Sequence, residues 1–401
     1  MRIKKETVRL GSQLSLLFFA VVSCGVSLTL GQEDEILKGS PIYWALIISA
    51  MVPILSSVHR WIGSLVMESS WVPLFFLMAA GWAAIIGDLE ILLPLLFMSL
   101  SWIYSQCAAA HITSRAFAIL FVALVFLGLA IKAFSDSNYY GVLPWMVTDP
   151  LANGRVSFAG NIGFAGMLSL LTFMVLAVSK DRSPIMVIAL FLAVYFIIFS
   201  RVRTAMIGVV LFSVTYWLIR MKARPSASYL FFLAIIGTSI AIFAISFAPL
   251  VLEKIGSSGV TAMYLLQGRD GLDADDIREQ LYRPLLWAAQ VQVFFSSPFL
   301  MGWGSATTAM VETAGANFLQ GGDTVSFPTR LLSHYGLPAL LFLYAALRAL
   351  WRYSRKGDIA SVCAWPVCVL VLLSWGSIFN PTSAVGTFFL ILLFRGVSAF
   401  K

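Results

Sequence analysis

The chain has 401 residues, of which 60% are hydrophobic and only 11% are charged, and its formal net charge is +8. Because soluble domains carry about 25% charged residues, this composition excludes a soluble protein with an ordinary water-facing surface. The apolar runs reach the length of about 20 residues that a helix needs to cross a bilayer, and they lack the alternating polarity of a membrane β-barrel. The sequence therefore predicts an all-α integral membrane protein.

About twelve transmembrane helices are predicted, with the N-terminus in the cytoplasm. The first apolar run follows a basic leader without a clear cleavage site, so we interpret it as a retained helix rather than a signal peptide. The predicted spans are residues 11–30, 41–57, 69–87, 90–106, 117–135, 157–179, 184–200, 204–220, 228–250, 326–350, 359–377 and 384–396.

The loop charges predict the orientation of the chain and its division into regions. Lys and Arg cluster in the short loops of one side, for example at Lys180 and Arg182, and such clusters mark the cytoplasmic side. The positive net charge thus reflects topology and requires no nucleic-acid partner. Three regions follow, namely helices 1–9 (residues 1–250), one large periplasmic loop with an amphipathic helix (251–325) and helices 10–12 (326–401).

The arginines on the predicted outer side are the most informative side chains. Arg201 and Arg203 lie in a tight turn between two apolar helices, and Arg330 also faces outward. A guanidinium group presents a fork of donors that matches phosphate oxygens, so the turn predicts a binding site for a phosphate-bearing lipid. The alternative explanation is that these arginines extend to the membrane interface, as arginine readily does.

A second anion site is predicted where Arg283 begins an apolar helix of the large loop, at about residues 284–295. A cation at a helix N-terminus opposes the helix dipole, whereas a bound anion would interact with the arginine and with free backbone N–H groups. Arg155 and Asn161, in a glycine-rich segment at the outer end of span six, are further candidates for binding. The alternatives are a salt bridge from Arg283 to a loop acid and simple close packing at the glycines.

No metal site and no cofactor are predicted. The four cysteines lie in or beside apolar segments, and the acids between Asp270 and Glu279 lack the spacing of a calcium-binding loop. His334, inside predicted span ten, is either a proton carrier or a histidine that packs between helices.

Three short motifs occur in one order along the chain. They are Gly154-Arg155 with Asn161, Ser200-Arg201-Val202-Arg203-Thr204-Ala205, and Arg283-x3-Trp287 followed by Pro298-x3-Gly302-x-Gly304. Together with the topology and the large loop after span nine, they resemble the O-antigen polymerase and O-antigen ligase superfamily of bacterial envelope glycosyltransferases. The resemblance covers roughly residues 150–345 and implies a membrane glycosyltransferase fold of the GT-C type.

One departure favours the polymerase branch of this superfamily. The ligase branch usually has a histidine about eleven residues before the glycine that matches Gly336, and residues 323–330 contain none. The resemblance thus implies an enzyme of the bacterial inner membrane that joins oligosaccharide repeats at the periplasmic face during lipopolysaccharide biosynthesis. An O-antigen ligase that transfers glycan to lipid A–core, and a flippase for the lipid-linked repeat, are the alternatives.

The mechanism implied by the resemblance uses an undecaprenyl-diphosphate-linked glycan as donor and a second one as acceptor. Arg203 and Arg283 would stabilise the departing diphosphate without a metal, with Arg155, Asn161, Arg201 and Arg330 assisting in binding. Trp287 and Trp303 would stack on sugars. The candidates for the base that accepts the proton of the acceptor hydroxyl are Asp323, Glu312 and His334. The other expected partners are membrane lipids and a chain-length regulator protein.

Overall fold

The computed structural model describes residues 71–109, 112–134, 156–158, 162–222, 225–254, 282–313, 327–374 and 384–400, together with a few single positions before residue 71. Over these residues the protein is helical and contains no strand, which confirms the all-α fold class. The α-helices are α1 (Trp71–Ile86), α2 (Leu92–Ala108), α3 (Ser114–Phe134), α4 (Ile162–Ala177), α5 (Pro184–Ser200), α6 (Arg203–Met221), α7 (Ala227–Lys254), α8 (Tyr282–Ser296), α9 (Thr307–Thr313), α10 (Phe327–Tyr335), α11 (Pro338–Lys356), α12 (Ile359–Ser374) and α13 (Ala384–Arg395).

From position 71 onward, these helices follow the predicted apolar spans to within a few residues, except that α4 starts only at Ile162, because residues 157 and 158 of predicted span six are not helical. One larger exception concerns a whole span. α5 begins at Pro184, which is favoured in the first helical turn, and ends where the sequence predicts. The predicted loop helix is also present, as α8. Two helical segments, Leu89–Ala108 and Arg203–Met221, are long and apolar enough to cross a membrane. The first two predicted spans lie outside the continuously described residues.

The larger exception is predicted span ten, residues 326–350, which is wrong as a single helix. The structure divides it into α10 and α11, and the break falls at Gly336, which has φ +63°. Left-handed φ ends an α-helix, and Pro338 then begins the next one. His334 therefore lies in a nine-residue helix that is too short to cross a bilayer.

Helix α12 lies at the centre of the bundle. It packs against α6, α7, α10, α11 and α13, and nearly every side chain between Ser361 and Leu373 is buried. This segment carries no charged residue, so it can be surrounded by protein without leaving an ionised group unpaired. Since α6 and α10 both pack on α12, one helix positions the two elements that carry Arg203 and Arg330.

Ring contacts fix the directions in which the helices run. The ring centroids of Trp71 and Tyr344 are 5.1 Å apart and those of Phe75 and Tyr335, which directly precedes the α10–α11 break, are 5.7 Å apart, so α1 is antiparallel to α11. Phe231, near the start of α7, has its ring centroid 5.5 Å from that of Trp351, near the end of α11. The α6–α7 connection therefore lies beside the end of α11, and the start of α6 lies at the opposite end of the bundle.

The bundle thus has two chemically different ends. The site end carries the α1–α2 connection, the start of α6, α10 and the start of α11. The basic end carries the α4–α5, α6–α7 and α11–α12 connections. The described basic side chains of that end include Arg115, Lys180, Arg182, Arg220, Lys222, Arg355, Lys356 and Arg395.

Candidate functional site

A glycine-containing segment, Ser297–Ala306, packs backbone to backbone against the junction between α10 and α11; we call it the glycine loop. The Trp303 N–H donates to the Ser333 carbonyl at 2.9 Å, and the Leu337 N–H donates to the Leu300 carbonyl at 2.8 Å. These two bonds pair the loop with both sides of the helix break. The loop is therefore attached to α10 as one unit.

The glycines explain why the backbones can approach so closely. Gly302 has φ +84°, and a Cβ at this position would overlap the carbonyl group of His334. A Cβ on Gly336 would overlap the backbone of Met301. Positive φ is readily adopted only by glycine, so both residues are required by conformation as well as by space. The Pro298-x3-Gly302-x-Gly304 motif of the sequence thus lies where the glycine loop packs against the α10–α11 junction.

Arg330 and His334 lie one turn apart on α10 and bind each other. The Arg330 Nε–H donates to His334 Nε2 at 3.4 Å, and both side chains are partly buried. His334 also forms a hydrogen bond with the backbone of Gly304. The imidazole is thereby held between the glycine loop on one side and the guanidinium group on the other.

Burial and, to a smaller extent, the positive charge of Arg330 together lower the pKa of His334 to about 3, although the Gly304 backbone bond and the Asp88 charge oppose the shift. The ring is therefore neutral near neutral pH, and its Nε2 lone pair already accepts a hydrogen bond from Arg330. A neutral imidazole in this arrangement is a poor proton acceptor. The geometry favours a role for His334 in orienting Arg330 over the predicted role as a base.

This shift predicts that acid destabilises the protein through His334. As the pH falls below about 6.5, the unfolded chain binds a proton that the folded chain does not bind until about pH 3, so unfolding becomes easier by about 2 kcal/mol at pH 5. Asparagine does not titrate between about pH 7.5 and 5. Over this range we therefore expect the melting temperature of His334→Asn to fall less than that of wild type. Thermal unfolding in detergent measures the difference, and equal losses would contradict the assigned environment.

Arg330 is a desolvated cation. Burial lowers the pKa of its guanidinium group, and the nearby Tyr335 phenol opposes that shift. Arginine nevertheless stays charged in proteins. Among the residues that the structure describes, no carboxylate forms a salt bridge with Arg330. A partly buried charge without a counter-ion is costly, so this site is suited to bind an anion.

Asp88 is a residue of the site end that the sequence analysis missed. It lies in the short α1–α2 connection, and its Oδ2 accepts a hydrogen bond from the Ser305 N–H at 2.7 Å. Its negative charge also acts on His334 and Tyr335. The available signal was an acid directly after a glycine, Gly87, between two closely spaced apolar helices.

The Arg201–Arg203 turn has the tight geometry that the sequence predicts. Arg201 has φ +54°, a left-handed conformation that costs a residue other than glycine roughly 1–2 kcal/mol. The Val156 N–H donates to the Phe199 carbonyl at 3.0 Å, which ties the non-helical residues 156–158 to the end of α5, next to the turn. Gly166 of α4 packs directly on Val202, where a Cβ would come within 2.6 Å of a methyl carbon. Arg203 begins α6 with an exposed side chain.

The two predicted tryptophans have different surroundings. The Trp303 indole N–H donates to the Val293 carbonyl at 3.0 Å, and its ring packs on a small core formed by α8 and α9. This contact is structural. The indole N–H of the partly buried Trp287 is itself buried, and among the described residues nothing accepts its hydrogen bond. For Trp287 the contact with a sugar therefore stays a prediction.

The remaining predicted residues are only partly located. α8 and α10 pack side by side, and the Thr329 hydroxyl donates to Gln290 Oε1 at 2.5 Å. With a rise of 1.5 Å per residue, Arg283 lies in the first turn of α8, about 10 Å along the helix from Gln290. The Arg283 side chain is outside the described part of the chain. The Glu312 side chain is also outside the described part of the chain, and so are the residues Arg155, Asn161 and Asp323, backbone included.

The site end therefore combines the Arg201–Arg203 turn with Arg330, its His334 partner, the glycine loop and Asp88. Its cations match an anionic, phosphate-bearing ligand, and the aromatic residues beside them match an apolar or sugar-bearing one. A comparison of the sequence with models of known protein families finds no match, and a comparison with curated protein sequences finds none either.

Proposed function

We propose that this chain is a membrane glycosyltransferase that joins polyprenyl-diphosphate-linked oligosaccharide repeats, as an O-antigen-type polymerase does. The observation that carries the proposal is the desolvated Arg330, held by His334 at the same end of the bundle as the Arg201–Arg203 turn. Cations placed in this way suit a leaving diphosphate, whose negative charge grows as the glycosidic bond breaks. That the ligand is a lipid-linked sugar and the product a polymer is proposed from the order of the motifs and the predicted topology.

The charge difference between the two ends supports the proposed orientation. Basic residues cluster at the connections of the basic end, as they do on the cytoplasmic side of membrane proteins. The site end then faces the periplasm, and the membrane is the bacterial inner membrane. A lipid-linked donor presents its diphosphate at this surface, close to the outer ends of the helices.

The proposed reaction is a single displacement at the anomeric carbon of the donor. The acceptor hydroxyl oxygen forms the new glycosidic bond while the bond to the diphosphate oxygen breaks, and that oxygen keeps the electron pair. The hydroxyl proton passes to a base, for which Asp323 and Glu312 remain the candidates. Arg330 and Arg203 bind the diphosphate, and His334 orients Arg330.

The surface glycan of a deletion strain tests the proposal against its alternatives. Single repeats attached to lipid A–core are expected when a polymerase is lost. Long polymer that accumulates on the lipid carrier would instead identify a ligase, and lipid-linked repeats retained on the cytoplasmic face would identify a flippase. Purified protein with lipid-linked repeats as the only substrates should then form polymer without added nucleotide.

Arg203→Ala is expected to abolish the chain-length ladder in the complemented deletion strain while the protein still inserts into the membrane. The side chain is exposed at the start of α6, so its removal leaves no cavity and costs little stability. Glycan ladders on gels, with membrane protein levels measured in parallel, give the result. A normal ladder would remove Arg203 from the proposed site.

A further inference from the structure

Asp88 connects two parts of the chain that are 217 residues apart in sequence. Its Oδ2 accepts the Ser305 N–H at 2.7 Å, and it lies so close to Gly304 that a Cβ there would overlap the carboxylate. A hydrogen bond to a charged oxygen is about twice as strong as one between neutral groups. The α1–α2 connection thus holds the glycine loop at residues 304 and 305.

Gly304 and Ser305 are also connected, through His334, to the guanidinium group of Arg330. The Gly304 backbone forms a hydrogen bond with His334, and His334 Nε2 accepts from the Arg330 Nε–H. The contacts therefore run without a break from Asp88 through the Gly304–Ser305 backbone and the imidazole to the guanidinium group. Each contact fixes the orientation of the next.

We propose that Asp88 is a positioning residue that holds Arg330 in its anion-binding orientation, acting through the glycine loop and His334. The role rests on the proposed function, because it takes the Arg330 ligand to be the donor diphosphate. An arginine side chain has many rotamers, and fixing one of them at the moment of binding costs conformational entropy. Because Asp88 holds the Arg330 side chain in this orientation in the folded protein, the entropy cost of ordering it does not recur in each catalytic cycle.

The chain offers a matched control for Asp88. Glu90 lies two residues further on in the 3-10 turn Leu89–Ile91, is exposed, and carries the same charge. Glu90→Ala therefore removes an acid from the same connection while the Asp88–Ser305 hydrogen bond stays in place. Asp88→Asn is the second comparison, because it removes the charge but keeps an oxygen that can accept from Ser305.

Hydrogen–deuterium exchange of the full-length protein in detergent tests the structural half of the proposal. Asp88→Ala should speed exchange in peptides that cover the glycine loop and α10 by about tenfold or more, since the Ser305 amide loses its acceptor. Glu90→Ala should leave these peptides unchanged. Exchange in α10 that is equal in Asp88→Ala and wild type would overturn the proposal whatever the protein's activity is.

A double-mutant cycle on kcat/KM tests the functional half, with lipid-linked repeats as substrate. Asp88→Ala is expected to lower kcat/KM about tenfold, and Asp88→Asn to stay within about threefold of wild type. In a His334→Ala background, Asp88→Ala should change kcat/KM by less than about twofold, because the intermediate contact is already lost. Equal losses in both backgrounds would mean that Asp88 supports the fold only, and would overturn the proposal.

The two measurements separate the possible failures. If wild-type protein transfers no glycan, the proposed function fails, and the exchange of α10 still decides whether Asp88 holds it. If transfer occurs and the cycle shows no coupling, the proposed function stands and the role of Asp88 is wrong.

Discussion

Arg330→Ala is expected to lower kcat/KM for polymer formation by about 100- to 1000-fold, the usual loss when one preorganised donor to a developing anion is removed. The same change should leave the melting temperature equal to that of wild type or raise it. Arg330 is a partly buried cation without a described carboxylate partner, and its removal relieves a desolvation cost. Kinetics and thermal unfolding of the purified protein measure both effects.

Lysine should not restore activity at position 330. The anchoring contact uses the Nε–H of the guanidinium group, at 3.4 Å from His334 Nε2, and lysine cannot bond His334 in this way while presenting a fork to phosphate. We therefore expect Arg330→Lys to remain at least about tenfold below wild type. Arg355→Ala, an exposed arginine at the basic end, is the matched control and should be fully active. Normal activity of Arg330→Ala would remove the anion site from the proposed mechanism.

Gly336→Ala is expected to be among the most destabilising single substitutions in the described part of the chain, at about 2–4 kcal/mol. Its φ of +63° costs a residue with a Cβ roughly 1 kcal/mol. The added methyl group would also overlap the backbone of Met301, and a backbone atom cannot turn aside as a side chain can. Overpacking of this kind typically adds about 1–3 kcal/mol.

Gly357 separates these two causes, because its φ of +64° is nearly the same and a Cβ there would meet nothing within 4 Å. Gly357→Ala should therefore show only the conformational cost, roughly 1 kcal/mol. The melting temperatures of both variants in detergent, together with hydrogen exchange in the glycine loop, give the comparison. If the melting temperatures of both variants fall by the same amount and the glycine loop is equally protected from exchange in both, the backbone contact between the loop and Gly336 contributes little to stability.

Helices were predictable where the information is local. α5 and α6 have close to the predicted boundaries because uninterrupted apolar residues favour helix and because Pro184 starts one of them. The α8 helix was predicted for the same reason. Span ten was wrong because the apolar pattern continues through Gly336. A glycine inside an apolar run does not by itself end a helix, and here the packing of the glycine loop requires the break.

The sequence by itself determined the helical class, most helix boundaries and the concentration of cations in the Arg201–Arg203 turn, since each depends on the residues of one segment. Tertiary structure alone decided that Arg330 and His334 are desolvated and that Asp88 reaches Ser305. These features depend on contacts between segments up to 217 residues apart. No local pattern encodes them, because the free energy of burial and of hydrogen bonding arises only when the segments pack together.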